Sequence, residues 1–106
     1  MKCQRCPKQA TLHITEDIDL EPVLQDLYGR GIHSVIVEGG SAVHSAFIRR
    51  GLWQKMMIFV APAIVGGPNA PSIFSGEPVS RLTDAYRFRF DRAEMVGSDL
   101  MIVAYP

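Results

Sequence analysis

Glu38-Gly39-Gly40-Ser41 is the stretch whose residue types are best suited to chemistry. It follows the run Ser34-Val35-Ile36-Val37 and precedes Ala42-Val43-His44-Ser45-Ala46-Phe47, so a buried strand is expected to turn sharply into a helix there. Glycines at such a turn let the backbone approach a ligand closely and take φ values that other residues avoid. Free amides and the positive end of the helix dipole then favour an anion, usually a phosphate. Ser41 stands where a helix cap is expected. Glu38 stands at the C-terminal mouth of the strand, where open α/β sheets bind their ligands. The same residues also admit a plainer reading, with Gly39-Gly40 as a tight connection and Ser41 as its cap. Neither a G-x-G-x-x-G nor a Walker A is complete, because the third glycine and the lysine are absent.

Three other groups could carry chemistry. Cys3-Gln4-Arg5-Cys6 is a C-x-x-C knuckle, half of a tetrahedral zinc site, but no second C-x-x-C exists and His13 is the only near candidate ligand. The opening residues therefore read either as a metal knuckle or as thiols in a frayed terminus, and no metal ligand set is assigned. His44 falls in the second turn of the expected helix, where a general acid, a ligand or a cofactor-adjacent polar residue are all open readings. Arg87 and Arg89 read either as a phosphate clamp or as the solvated face of a strand.

The elements that must position these residues follow from periodicity. Ala10 to Thr15 alternates as a short strand. A helix over Leu20 to Tyr28 has Leu20, Val23, Leu24 and Leu27 at helical spacing, Asp17 or Asp19 as cap, Pro22 in the first turn, and Gly29 or Gly31 at its end. After the Ser34–Val37 strand, a helix from about Ser41 to Arg50 turns Val43, Phe47 and Ile48 inward and stops at Gly51. Met56-Met57-Ile58-Phe59-Val60-Ala61 is the most apolar run and reads as a central strand buried on both faces, with Pro62 ending it and a turn-rich loop from Gly66 to Pro71. Tyr86, Phe88 and Phe90 alternate with Arg87, Arg89 and Asp91, and Asp99 to Tyr105 follows a turn at Gly97-Ser98, which is the pattern of an antiparallel hairpin with one wet face. The expected class is α/β: a βαβαβ unit with parallel strands, closed by an antiparallel C-terminal hairpin.

Composition bounds the function. The chain has 106 residues, 47% hydrophobic and 21% charged, enough for one folded domain with a modest core. Eleven basic residues balance eleven acidic ones, so there is no electrostatic footprint for nucleic acid or an anionic membrane. No apolar run approaches the ~20 residues of a membrane span, and no signal-peptide pattern opens the chain. A cytoplasmic protein is expected.

Taken in order, Gly31 to Gly40, Ala46-Phe47-Ile48, Gly51-Leu52, Ala61-Pro62-Ala63-Ile64-Val65-Gly66-Gly67 and Gly97-Ser98-Asp99-Leu100 resemble the C-terminal half of the pyrimidine reductase domain of riboflavin biosynthesis. That bifunctional deaminase/reductase family has a dihydrofolate-reductase-like fold. The resemblance covers about residues 17–106 and sets residues 1–16, with their C-x-x-C, apart as an opening segment that reads as foreign to it. It implies NADPH-dependent reduction of 5-amino-6-(5-phosphoribosylamino)uracil to the ribitylamino product, by this chain or by the enzyme of which it is a fragment. Residue by residue, it implies that Glu38 contacts substrate and that Gly39, Gly40, Ser41, Ala42, Val43, His44, Ser45 and Ala46 hold the NADPH phosphates. It assigns no catalytic residue. Leu52-Trp53-Gln54-Lys55 departs from the family's Leu-Val-Asp-Glu turn, and neither the deaminase motif H-x-E nor P-C-x-x-C is present. A partial sheet exposes edges, so a homodimer with swapped or re-paired elements is expected. The alternative function is a non-catalytic, self-associating half-domain that keeps a vestigial nucleotide or phosphate site.

Overall fold

The computed structural model describes residues 19–106. The strand expected at Ala10 to Thr15, the alternative cap Asp17, His13, and Cys3 and Cys6 lie outside the described residues. The chain divides into two compact units: one runs through Phe47 and takes in Ser72–Gly76, and the other comprises Ile48–Pro71 and Glu77–Pro106. Among the described residues no helix is long and apolar enough to cross a membrane.

In the first unit, helix α1 spans Leu20–Gly29. Asp19 is its N-cap, in extended geometry, and its carboxylate accepts from the Glu21 amide at 3.4 Å. Leu20 and Leu27 lie seven residues apart, hence on one face, and both are buried. The helix ends at Gly31, which takes φ +81°. Its amide reaches the Tyr28 carbonyl at 2.9 Å, and the Ile32 amide reaches the Leu27 carbonyl at 3.0 Å. This pair of bonds is a Schellman closure, and it turns Ile32 into the interior with Leu27. The exposed Arg30–Asp26 pair at 2.8 Å adds little.

Residues 33–40 run between the helices, with strand-type pairing only at Ile36. Helix α2 follows over Ser41–Arg49, with Ser45, Ala46 and Phe47 buried, and Gly51 closes it at φ +65°. The expected helix thus forms within one residue of its sequence bounds.

The second unit holds a three-stranded sheet: β1 (Met56–Val60), β2 (Arg89–Val96) and β3 (Asp99–Tyr105), in the order β1-β3-β2. Both pairings are antiparallel. The expected hairpin is β2-β3, and Gly97 at φ +63° occupies the turn position where a primed hairpin turn needs glycine. A bulge between Phe90 and Arg92 resets the alternation. Past it, Arg92 and Glu94 share a face with Arg89, while Ala93 and Met95 share one with Phe90.

The β1 expectation needs correction. Met56–Val60 is an edge strand of this sheet, with Met57 50% and Phe59 56% exposed. The central strand is β3, where Met101, Val103 and Ala104 are buried. An apolar run reports that both faces want cover; it does not say on how many sides the strand is hydrogen-bonded. The parallel pairing expected of the βαβαβ unit is also absent from the sheet of the described residues.

Two glycines of α1 separate backbone need from helix propensity. Gly31→Ala should cost about 1–2 kcal/mol in urea unfolding, because the left-handed conformation crowds a Cβ. Gly29→Ala, at ordinary helical φ with open space around it, should gain about 0.5–1 kcal/mol in the same measurement.

Candidate functional site

The candidate site is the start of α2 and the turn that feeds it. The Gly40 carbonyl accepts from the Val43 amide at 3.1 Å and the His44 amide at 3.3 Å, so Gly40 is the N-cap and Ser41 is the first helical residue. This corrects the expectation that Ser41 caps the helix. Gly40 has no side-chain oxygen to offer, and the amides of Ser41 and Ala42 meet no side-chain acceptor among the described residues.

The reason for the two glycines also differs from the expected one. Positive φ occurs at Gly31, Gly51, Gly66, Gly67, Gly76 and Gly97, not at Gly39 or Gly40. A Cβ on Gly39 would make ordinary contact with Val43 at 3.5 Å, and a Cβ on Gly40 would meet nothing within 4 Å. Neither backbone conformation nor internal packing demands glycine at position 40. What glycine supplies there is bare backbone facing open space beside two free amides.

The other sequence-marked residues separate by burial. Glu38 is exposed at the end of the extended segment. Ser41, Ala42, Val43 and His44 are half-buried, while Ser45 and Ala46 are buried on the inner face of α2. The Ser45 hydroxyl accepts from the Ser75 amide at 2.8 Å, and His44 Nδ1 lies 3.2 Å from the Ile73 carbonyl. Two residues read as direct phosphate holders are thus engaged with the chain's own segment Ser72–Gly76. Nothing in the residue pattern marks that segment, because its partners stand 30 and 29 positions away. Among the described residues, no group of three or more His, Cys, Asp or Glu is arranged to hold a metal ion.

In the second unit the arginines resolve as structure. The Arg87 guanidinium donates to the Leu82 carbonyl at 3.2 Å, and Arg89 stacks over the Tyr105 ring at 5.2 Å. Both are held locally, so the clamp reading has no support; Arg89 opens β2, while Arg87 precedes the strand, so the strand-face reading holds for Arg89 alone. Phe88 packs edge-on to Trp53 and Phe90, with centroids at 6.4 and 5.5 Å.

A model of the RibD C-terminal domain matches residues 2–102. The chain belongs to the RibD C-terminal domain family. The match begins at residue 2, so it takes in the opening segment that the motifs alone set apart as 1–16. Among relatives, the riboflavin biosynthesis protein RibD of Bacillus amyloliquefaciens is 36% identical over 92 residues, covering 87% of this chain and 25% of that protein. The 2,5-diamino-6-ribosylamino-4(3H)-pyrimidinone 5′-phosphate reductase of Methanothermobacter thermautotrophicus is 34% identical over 88 residues, covering 83% of this chain and 41% of that enzyme. Of solved structures, Acinetobacter baumannii RibD superposes with TM-score 0.77 at 27% identity, over 90% of this chain and 26% of that one. A deaminase/5-amino-6-(5-phosphoribosylamino)uracil reductase from Thermotoga maritima gives 0.71 at 31% identity, over 85% of this chain and 24% of that one. The family therefore has the α/β, dihydrofolate-reductase-like fold expected from the sequence, and the chain spans less than half the length of these RibD-family relatives.

If Gly40 is kept for access and not for folding, Gly40→Ser should add a side-chain cap to α2. The melting temperature should rise, corresponding to a few tenths of a kcal/mol. A fall in melting temperature would show that the glycine serves the fold.

Proposed function

We propose that the chain is the C-terminal part of an NADPH-dependent reductase of riboflavin biosynthesis. Its reaction is reduction of the open-chain ribose of 5-amino-6-(5-phosphoribosylamino)uracil to the ribitylamino product. The names of the bacterial and archaeal relatives support the substrate class. The observation that carries the site is the space over Gly40, beside the free amides of Ser41 and Ala42.

A phosphate of the cofactor fits this place for three physical reasons. The amides of Ser41 and Ala42 are donors without acceptors among the described residues. The helix dipole puts partial positive charge there. The bare Gly40 backbone lets an oxygen approach closely. The NADPH would supply the hydride, and the chain's part is to hold and orient. Glu38 is exposed just before the turn, and in this reading its carboxylate accepts hydrogen bonds from hydroxyl or amino groups of the substrate. Ala46 is buried and Val43 half-buried, so in this reading they seat α2 rather than touch the phosphate. The reading includes a cytoplasmic location and neither a nucleic-acid nor a membrane partner.

Calorimetric titration with NADPH tests the cofactor site. The full chain should bind saturably at micromolar concentration, and Gly40→Asp, which puts a carboxylate where the phosphate would sit, should abolish the heat. Equal binding by both proteins would move the cofactor elsewhere, and no heat from either would reduce the turn to architecture.

One observation favours a second reading, a self-associating module that keeps only the anion site. The β1 edge carries Met57, Phe59 and Val60 about half exposed, and an apolar strand edge invites another chain. A homodimer belongs to both readings. Sedimentation velocity at micromolar concentration should show a dimer that Phe59→Lys converts to monomer; a monomeric wild type would remove self-association from both.

A further inference from the structure

Ser45 is the one buried polar residue among the described residues, at 6% exposure, and it sits one turn beyond the free amides of α2. Its hydroxyl accepts the Ser75 amide at 2.8 Å, in a part-buried setting. The neighbouring His44 meets the Ile73 carbonyl through Nδ1 at 3.2 Å. A carbonyl can only accept, so Nδ1 carries the proton and donates in that contact. Within the segment the Ser72 hydroxyl donates to the Phe74 carbonyl. Gly76, at φ +96°, then takes the chain away through a conformation that favours glycine.

The two tethers come from consecutive residues of α2 and reach alternate residues of the segment. Consecutive helical side chains diverge by about 100°, so together they fix the segment in position as well as in distance. Ser45 lies five residues beyond Gly40, roughly 7–8 Å along the helix axis. That is about the size of one phosphate group with its bonded neighbours. We propose that Ser45 and His44 are positioning residues: they fasten Ser72–Gly76 against α2 as a fixed wall beside the Gly40 turn, so that the cofactor-phosphate site is shaped before ligand arrives. The inference rests on the reading of that turn as the NADPH phosphate site, and it gives Ser45 and His44 a role through the segment and not through direct contact with phosphate. Loss of a tether leaves the segment to be ordered on binding, which weakens affinity without touching the donors themselves.

Four variants of the full chain decide this: Ser45→Ala, Ser45→Thr, His44→Ala and His44→Asn. Each is titrated with NADPH, and amide hydrogen exchange of residues 72–76 is followed without ligand. Ser45→Ala and His44→Ala should each weaken NADPH binding by about tenfold, the scale of one lost hydrogen bond. Exchange at Ser75 should quicken in Ser45→Ala. Ser45→Thr keeps the hydroxyl and His44→Asn keeps a donor near the Nδ1 position, so each should restore most of the affinity. His44 is only half-buried, so its pair stays informative if the Ser45 variants fold poorly. Wild-type affinity in folded Ser45→Ala and His44→Ala, with exchange at 72–76 quickened, would overturn the inference and leave the cofactor site standing. No NADPH binding by the wild type would overturn the site and the inference with it.

Discussion

A helix capped by glycine cannot satisfy its own first amides, and at α2 this single constraint organises what surrounds it. Serine, threonine, asparagine or aspartate at the cap would close the helix start with a side-chain oxygen. Gly40 leaves it open, with its own carbonyl taken by Val43 and His44 and, among the described residues, nothing within 4 Å of where a Cβ would stand. The neighbouring elements of the same unit hold that opening in place. The Schellman closure of α1 buries Leu27 and Ile32 and launches the chain toward Ile36. Buried Ala46 and Phe47 seat α2, and Ser45 spends its hydroxyl on Ser75. The helix start goes without a side-chain cap and leaves its first backbone donors open.

The second unit has a different logic. Its sheet is centred on β3, whose residues pair on both sides and are the most buried of the unit. The bulge at Asp91 keeps Arg92 and Glu94 on the face of Arg89, where they form a loose pair at 3.9 Å. Surface arginines that resemble an anion clamp in the sequence are absorbed by a carbonyl and a tyrosine ring. Neither Arg87 nor Arg89 is therefore left as an open cation on that face.

Much of this was legible in the residues because the relevant interactions are local. Asp19, Leu20, Leu27 and Gly31 define α1 through caps and a seven-residue spacing, and Gly97 defines the hairpin through one backbone angle. The family resemblance was legible because its glycine- and proline-rich turns keep their order and spacing along the chain. What was not legible is non-local or depends on realised geometry. Glycine type permits positive φ but does not require it, so the conformational reason expected for Gly39 and Gly40 does not hold, and what the structure shows at Gly40 is open space. The apolar run of β1 announced a strand but could not name its neighbours, and its place at the edge emerges only from pairing with β3. The tethers from His44 and Ser45 join residues about thirty positions apart, beyond the reach of any periodicity.

The most direct test follows the backbone amides themselves. In ¹⁵N-resolved NMR of the full chain, stepwise addition of inorganic phosphate and then of NADPH should shift the amide signals of Gly40, Ser41 and Ala42 first and furthest, and NADPH should shift them at lower concentration than phosphate. Saturating NADPH that leaves those three signals unmoved, while signals elsewhere shift or none shift at all, would contradict the account of α2 as the anion site.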